Sequence, residues 1–365
     1  MLTEQLCRFL ALSFLKPPLK RFGFRTESIN RFDSMKTYIE DRVAQVSAYQ
    51  RLFETFASFE GRTILDLGCN RGYLLHSFLQ YESFDAIGAD IDPTMLAMAR
   101  KDYGHEMQLI QTTATTIPLP DHSIDITYTV DTVEHLSRVK DIFLEVHRVL
   151  KPGGIFLVHF NPWLNPYGSH LEDIIPFPWP HTIFSMKTLL KVAASLYDSP
   201  HYPTACYFID EQTGLKKPNP YLDLTHWESY LNHMTIRRFH SLCQELPFEQ
   251  VHQERIGFGG KTFKIGRLLR GLSQLRILDE FFTNALFTVL SKSTWLPSAG
   301  SRDNRAATNM RMTNIGSGTT TVGRSVSESG VRGYTGVRQD PVSGTPHSSG
   351  FLVTKYWPVE KPIPS

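Results

Sequence analysis

Three acids and one glycine-containing turn carry the chemistry that this sequence offers. Asp66 lies inside the run Thr63-Ile-Leu-Asp-Leu-Gly-Cys-Asn-Arg-Gly72, two residues ahead of Gly68. Asp90 closes a second run, Phe84-Asp-Ala-Ile-Gly-Ala-Asp90, 18 residues after Gly72, and Asp131 follows a third, Ile124-Asp-Ile-Thr-Tyr-Thr-Val130. An apolar run, a glycine turn and then a helix-forming segment (Tyr73 to Tyr81) turn backbone N–H groups toward a ligand. An acid at the end of the next strand accepts hydrogen bonds from ribose hydroxyls. Together they suit a nucleoside cofactor. The spacing is Asp-x-Gly-x-x-x-Gly in place of Gly-x-Gly-x-x-Gly. A carboxylate at Asp66 is awkward beside a dinucleotide pyrophosphate, but suits a cofactor that carries an amino group and a sulfonium. An NAD-dependent oxidoreductase and a non-catalytic binding module are the competing readings of the same framework.

Histidines supply the remaining candidates. His135, His159, His170 and His181 follow the fourth and fifth apolar runs, where an open α/β sheet presents its ligands. His135 and His170 are the first choices for a general base, which is needed only if the acceptor is a hydroxyl or an acidic carbon. Trp163, Tyr167, Phe177 and Trp179 are expected to form an apolar acceptor pocket. The four cysteines, Cys7, Cys69, Cys206 and Cys243, make no Cys-x-x-Cys pair. That spacing argues against a zinc knuckle and a disulfide scaffold, and for a reducing, cytoplasmic compartment. No metal site is expected.

The elements that must position these residues are short and alternate. Residues Asp33 to Ser58 place Met35, Ile39, Val43, Val46, Tyr49, Leu52, Phe53 and Phe56 at helical spacing, so helix is expected to precede the first strand and cover the rim of the site. Asp92-Pro93 reads as a cap and first residue of the helix after the second strand. Met107 to Gln111 is a third strand and Ile124 to Val130 a fourth. Ser137 is expected to cap the following helix, Lys151-Pro-Gly-Gly154 to end it, and Gly154 to Phe160 to form a fifth strand. Strands alternating with helices in this way imply right-handed βαβ units and a parallel sheet covered on both faces.

From Asn161 to Asp223 the alternation breaks into proline- and aromatic-rich sequence, read as a lid. Thr235 caps a helix, Phe248 to Ile256 reads as a sixth strand, Leu268 to Phe282 as mixed helix and Asn284 to Ser291 as a seventh strand. Ser298 to Gly350 is rich in Ser, Gly, Thr and Arg, a composition expected to stay disordered. The expected organisation is an N-terminal helix and linker (1–32), one domain (33–296) with a lid-like insertion at about 161–223, and a tail (297–365).

With 365 residues, 41% of them hydrophobic, the chain can bury a sizeable core, and a net charge of only +2 gives no basic footprint for nucleic acid. No apolar run reaches bilayer length. Leu6 to Leu15 is read as a short docked helix in preference to an interfacial anchor, though it would offer a peripheral membrane contact.

The segments ILDLGCNRG, AIGADIDPTML, IPLPDHSIDI, DTVEHL and VLKPGGIFLV, in this order between about Glu60 and Phe160, resemble the class I S-adenosylmethionine-dependent methyltransferases of the small-molecule (type 11) group. That resemblance implies a Rossmann-like, seven-stranded, mostly parallel sheet with an antiparallel last strand, and transfer of a methyl group to a small-molecule or lipid-like acceptor. It implies further that Gly68, Cys69, Asn70 and Gly72 wrap the methionine part of the cofactor, with Asp66 beside them, and that Asp90 holds the ribose. Ile91 would pack on the adenine, Thr113 and Ala114 would contact its edge, and Val130 and Asp131 would line the methyl-donor end. Three residues depart from the family pattern. Asn70 stands at the middle glycine of the turn, Thr113 stands where an acid is common, and Arg71 adds a cation beside the turn.

Overall fold

The apolar runs assemble into one sheet of seven strands in the order β3-β2-β1-β4-β5-β7-β6. The strands are β1 (Thr63–Leu67), β2 (Asp85–Asp90), β3 (Gln108–Gln111), β4 (Ile124–Val130), β5 (Leu150–Phe160), β6 (Phe248–Gly257) and β7 (Thr283–Lys292). Strands β1 to β5 pair in parallel, and β7 runs antiparallel to both of its neighbours, β5 and β6. This is the Rossmann-like arrangement expected from the sequence. The computed structural model describes residues 2–16, 35–200, 202, 206–210, 213–257 and 278–293. The expected tail, the linker after the first helix and most of the mixed helix from Leu268 lie outside the described residues.

Period-two alternation in the strands sends side chains to both faces, and each face is covered by helices. On one, Leu65, Leu67 and Phe156 pack with Ile142, Phe143, Val146 and Val149 of α5 (Val139–Val149) and with Phe239 of α9 (Ile236–Glu245). On the other, Ile64, Ile126, Tyr128 and Phe287 pack with Tyr49 and Phe53 of α2 (Met35–Glu54) and with Leu75 and Phe78 of α3 (Tyr73–Leu79). The described buried side chains of α2 thus support the sheet. Between β2 and β3, α4 (Pro93–Tyr103) is capped by Asp92, whose side chain accepts N–H bonds from Thr94 and Met95. Thr235 caps α9 through the N–H of Arg238.

Two local expectations are corrected. The N-cap of α5 is Arg138, with no side-chain cap bond, so Ser137 does not close that helix end. Helix α5 does stop at Val149, but Leu150 to Gly154 belong to the opening of β5 and are accommodated by a register shift against Ile124 and Ile126.

The insertion is more regular than its composition suggests. It contains α6 (Pro180–Ile183), α7 (Met186–Tyr197) and, just beyond it, α8 (Leu224–Tyr230). Ser185 caps α7 by accepting the N–H of Thr188. Leu189, Leu190, Ala193 and Leu196 of α7 form a third core with Leu171, Ile175, Phe177, Trp227 and two residues of α1 (Leu2–Ser13), Cys7 and Ala11. The insertion therefore has its own apolar interior, with α1 docked into it.

Candidate functional site

At the carboxyl ends of β1, β2 and β4 the chain surrounds a cavity of about 260 Å³. Adjacent parallel strands deliver Asp66, Asp90 and Asp131 to it, because β1 lies between β2 and β4. Beyond β1, the N–H groups of Gly68 and Cys69 both donate to the Ala89 carbonyl, at 2.8 and 3.0 Å, which ties the turn to β2. Gly68 has φ 83° and Asn70 φ 52°, and asparagine is among the non-glycine residues that tolerate this region best. A glycine is needed at 68 because an added Cβ would meet the Thr132 side chain at 2.3 Å.

Asp90 is held by two backbone amides. Its Oδ2 accepts the N–H of Asn70 at 2.7 Å and its Oδ1 the N–H of Asp92 at 2.9 Å. Each oxygen keeps a further lone pair for a ligand hydroxyl. Burial pushes the Asp90 carboxyl up from the usual range, while the amides of Asp92 and Asn70 work against that shift. Asp66 is only 2% exposed, and its Oδ2 has no hydrogen-bond partner among the described residues. Burial raises its pKa to about 8, opposed by the Tyr128 hydroxyl and reinforced by the charge of Asp90.

The residues expected at the site are placed as follows. Asp66, Gly68, Cys69, Asn70, Asp90, Ile91, Thr113, Ala114, Val130, Asp131 and His135 all line the cavity. Gly72 does not; it is the N-cap of α3, at φ 78°. His170 is not in the lining either, and packs edge-on to His135 with ring centroids 5.1 Å apart. Ile91, 57% exposed in the cavity mouth, offers a flat apolar surface. The Thr113 hydroxyl accepts the N–H of Thr115, and the guanidinium of Arg71 pairs with Asp102 at 3.3 Å.

The four aromatic residues of the insertion expected around an acceptor are not among the described residues that line this cavity. Phe177 belongs to the third core, Trp163 packs at a tilt against His233 and His181, and Trp179 donates its indole N–H to the Phe281 carbonyl. None of them, nor Tyr167, lines the cavity. Phe177 thus fills the insertion's own interior, and Trp179 ties the insertion to the short helix Asp279–Phe282 ahead of β7.

Sequence reading passed over Thr132, Ser137, Tyr73 and Tyr230, all in the lining. Thr132 was within reach, being next to Asp131; Tyr230 arrives from α8, far along the chain, with no motif around it. Asp131 is at φ 52°, and its Oδ1 accepts the side-chain N–H of Asn161 at 2.9 Å and lies 3.2 Å from Nδ1 of the buried His159. Burial and the charge of Asp131 hold the neighbouring Glu134 carboxyl well above its ordinary range.

A cationic ligand that carries a ribose fits these groups. It would meet the partnerless Asp66 oxygen, a turn with no Cβ at 68 and the open lone pairs of Asp90.

Residues 65–158 match the family described as a methyltransferase domain. Over 111 residues the chain is 32% identical to an uncharacterized methyltransferase of Mycobacterium bovis, covering 30% of this chain and 43% of that protein. Over 153 residues it is 29% identical to an uncharacterized methyltransferase of Mycolicibacterium gilvum, covering 42% and 58%. The chain thus spans about half the length of these curated relatives. An S-adenosylmethionine-dependent methyltransferase from Mesorhizobium loti superposes with a TM-score of 0.42 at 16% identity, over 68% of this chain and 99% of that one.

Proposed function

We propose that the class I S-adenosylmethionine-dependent methyltransferase domain carried by this chain transfers a methyl group to a small-molecule or lipid-like acceptor by in-line displacement. The observation that carries the reading is the convergence of Asp66, Asp90 and Asp131 on one cavity beside the close-packed Gly68. In this reading Asp66 and the turn from Gly68 to Asn70 hold the amino-acid end of the cofactor and Asp90 its ribose. Ile91, Thr113 and Ala114 bracket the adenine, and Val130 and Asp131 face the donor end. S-adenosylmethionine supplies a methyl group already activated on a sulfonium.

The chain's own part is alignment and exclusion of water, effects that supply roughly 7 to 11 kcal/mol. Val130, Asp131 and Thr132 wall the donor end, while His135, Leu136 and Tyr230 also line the cavity. His135 Nδ1 donates to the Tyr230 carbonyl at 3.1 Å, which assigns the acceptor lone pair to Nε2. We assign His135 as the residue that takes a proton from an acceptor hydroxyl, contributing about two to four powers of ten, once its buried Nε2 turns to the cavity that the residue lines, with His170 packed behind it as a positioning residue. Leu74, Leu136 and Ile142 in the lining support an apolar acceptor.

The proposed domain runs from 33 to 296, with the insertion at about 161–223 and 297–365 as a tail. We place its action in the cytoplasm, in keeping with the cysteine spacing. No helix among the described residues is long and apolar enough to cross a membrane.

Tritiated methyl donor offered with a native extract, followed by identification of the labelled product, tests the activity. Label in an extractable small molecule or lipid supports it. Label in protein or nucleic acid would replace the acceptor class, and calorimetry showing NAD binding in preference to S-adenosylmethionine would overturn the cofactor.

A further inference from the structure

Behind the cavity wall, Glu134, His135 and His170 bring one carboxylate oxygen and two imidazole nitrogens within 4.8 Å of one another. Glu134 and His135 lie on the single 3-10 turn Val133–His135 that follows β4, and His170 comes from the insertion, at φ 55°. Glu134 and His170 are buried, at 3% and 1% exposure, whereas His135 reaches the cavity.

The hydrogen bonds around the cluster favour an ion. The Tyr230 carbonyl takes the Nδ1 proton of His135, and a carbonyl partner of this kind fixes the other nitrogen as a ligand in metal-binding histidines. Glu134 Oε1 accepts long bonds from Asn161, at 3.4 Å from the backbone N–H and 3.5 Å from Nδ2. Its Oε2 is buried with no hydrogen-bond partner, and none of the ion pairs among the described residues reaches Glu134. A carboxylate buried in this way is costly unless a cation or a proton neutralises it.

We propose that Glu134, His135 and His170 bind one divalent transition-metal ion of the Zn²⁺, Mn²⁺ or Fe²⁺ class beside the cavity. Two imidazoles with one carboxylate suit these ions, whereas Mg²⁺ and Ca²⁺ favour all-oxygen sets. Around a tetrahedral ion with bonds of about 2.0 to 2.1 Å the donors would lie about 3.4 Å apart, so the widest pair, within 4.8 Å, would close by at most about 1.4 Å on loading. Three protein ligands leave coordination positions open, as in sites that bind water or substrate. The ion itself does not depend on methyl transfer; assigning the open positions to an acceptor rests on the reading above. On that reading the acceptor coordinates through an oxygen atom. The ion would occupy the His135 lone pair and would itself acidify the acceptor hydroxyl, the proton passing to buffer, so that His135 would serve as ligand in the metal-loaded chain and as base only in the metal-free one.

Titration of the chelator-treated full chain with Co²⁺, followed by visible absorption, tests the site. One Co²⁺ per chain, displaced by Zn²⁺, is expected. His170→Ala and the near-isosteric Glu134→Gln should each weaken Co²⁺ binding by about tenfold or more, while His105→Ala, at a histidine side chain 76% exposed, leaves it unchanged. Absence of saturable one-to-one binding by the unmutated chain overturns the proposal, and so does wild-type affinity in both cluster variants. Calorimetry with S-adenosylmethionine on the same metal-free sample separates the two readings. Donor binding without Co²⁺ binding overturns the metal site alone, and Co²⁺ binding without donor binding overturns the methyl-donor assignment alone.

Discussion

Gly68 turns beneath Thr132 so closely that a Cβ at position 68 would stand 2.3 Å from the Thr132 hydroxyl oxygen. The contact locks the turn after β1 to the segment after β4, and with it the separation of Asp66 from Asp131. Gly61 also has positive φ, at 67°, but nothing lies within 4 Å of its would-be Cβ. Gly61→Ala should therefore show only the backbone cost, about 1 to 3 kcal/mol. Gly68→Ala should lose more stability than this, and cofactor affinity as well. Thermal melts and calorimetry on the two variants check the contrast; equal losses would contradict it.

Asp90→Ala removes the acceptor of two backbone N–H groups as well as the ribose contact. Hydrogen bonds to charged groups contribute about 1.5 to 3 kcal/mol, so S-adenosylmethionine should bind at least about tenfold more weakly. Asp90→Asn keeps one acceptor oxygen but sets an NH₂ against the Asn70 or Asp92 amide, and should fall between wild type and alanine. Calorimetry at constant pH ranks the three proteins.

Asp66 predicts a pH dependence of unusual sign. Its folded pKa is raised to about 8 from 3.8, so the folded state holds a proton that the unfolded state has released. The contribution of Asp66 to stability is fully present below about pH 4 and is lost as pH rises through about 8. Relative to Asp66→Asn, wild type should weaken across that window by on the order of 5 kcal/mol, then level off. Denaturant melts of both proteins at several pH values measure this. Binding of the cofactor's ammonium group at pH 7 should also expel the proton, seen as a buffer-dependent enthalpy in calorimetry.

His181 carries the opposite sign. Its Nε2 donates to the Trp163 carbonyl at 2.8 Å, and burial, with His233 nearby, lowers its pKa to about 4, against the pull of that carbonyl. Its contribution is present above pH 6.5 and is lost as pH falls toward 4. Acid should therefore cost wild type about 3 kcal/mol more than it costs His181→Gln. Melts at pH 7 and pH 4.5 compare them.

Much of the sheet was legible because each strand announces itself. Ile64-Leu65 sends an apolar side chain to each face, as a central parallel strand should. Ile124 to Val130 alternates apolar residues with Asp125, Thr127 and Thr129, a period-two strand signal, and Asp92-Pro93 spells out a helix start. The placement of Asp66, Asp90 and Asp131 around one cavity follows from that strand order. What lay beyond sequence was the partner of each group. Asn70 takes the positive φ that the turn requires, yet its N–H is directed at Asp90, not at an open ligand space. Ser137 has the type of a cap and instead lines the cavity. Composition carries no direction, so it could not say whether the aromatics of the insertion would face this cavity, whose described lining lacks them, and α7 was hidden because proline-rich sequence precedes it. Tyr230 reaches the site by tertiary folding alone.

The docking of α1 into the core of the insertion has a consequence for how the chain is made. Glu4 of α1 pairs with Lys191 of α7, 187 residues later. At about 5 to 20 residues per second, roughly 10 to 40 s separate the synthesis of the two helices. For that interval Cys7 and Ala11 have no native surface to meet, so the apolar face of α1 is open to a chaperone or to the ribosome surface. The interior of the insertion, which holds Leu171 beside His170, is thus completed only when the two ends of that long loop meet.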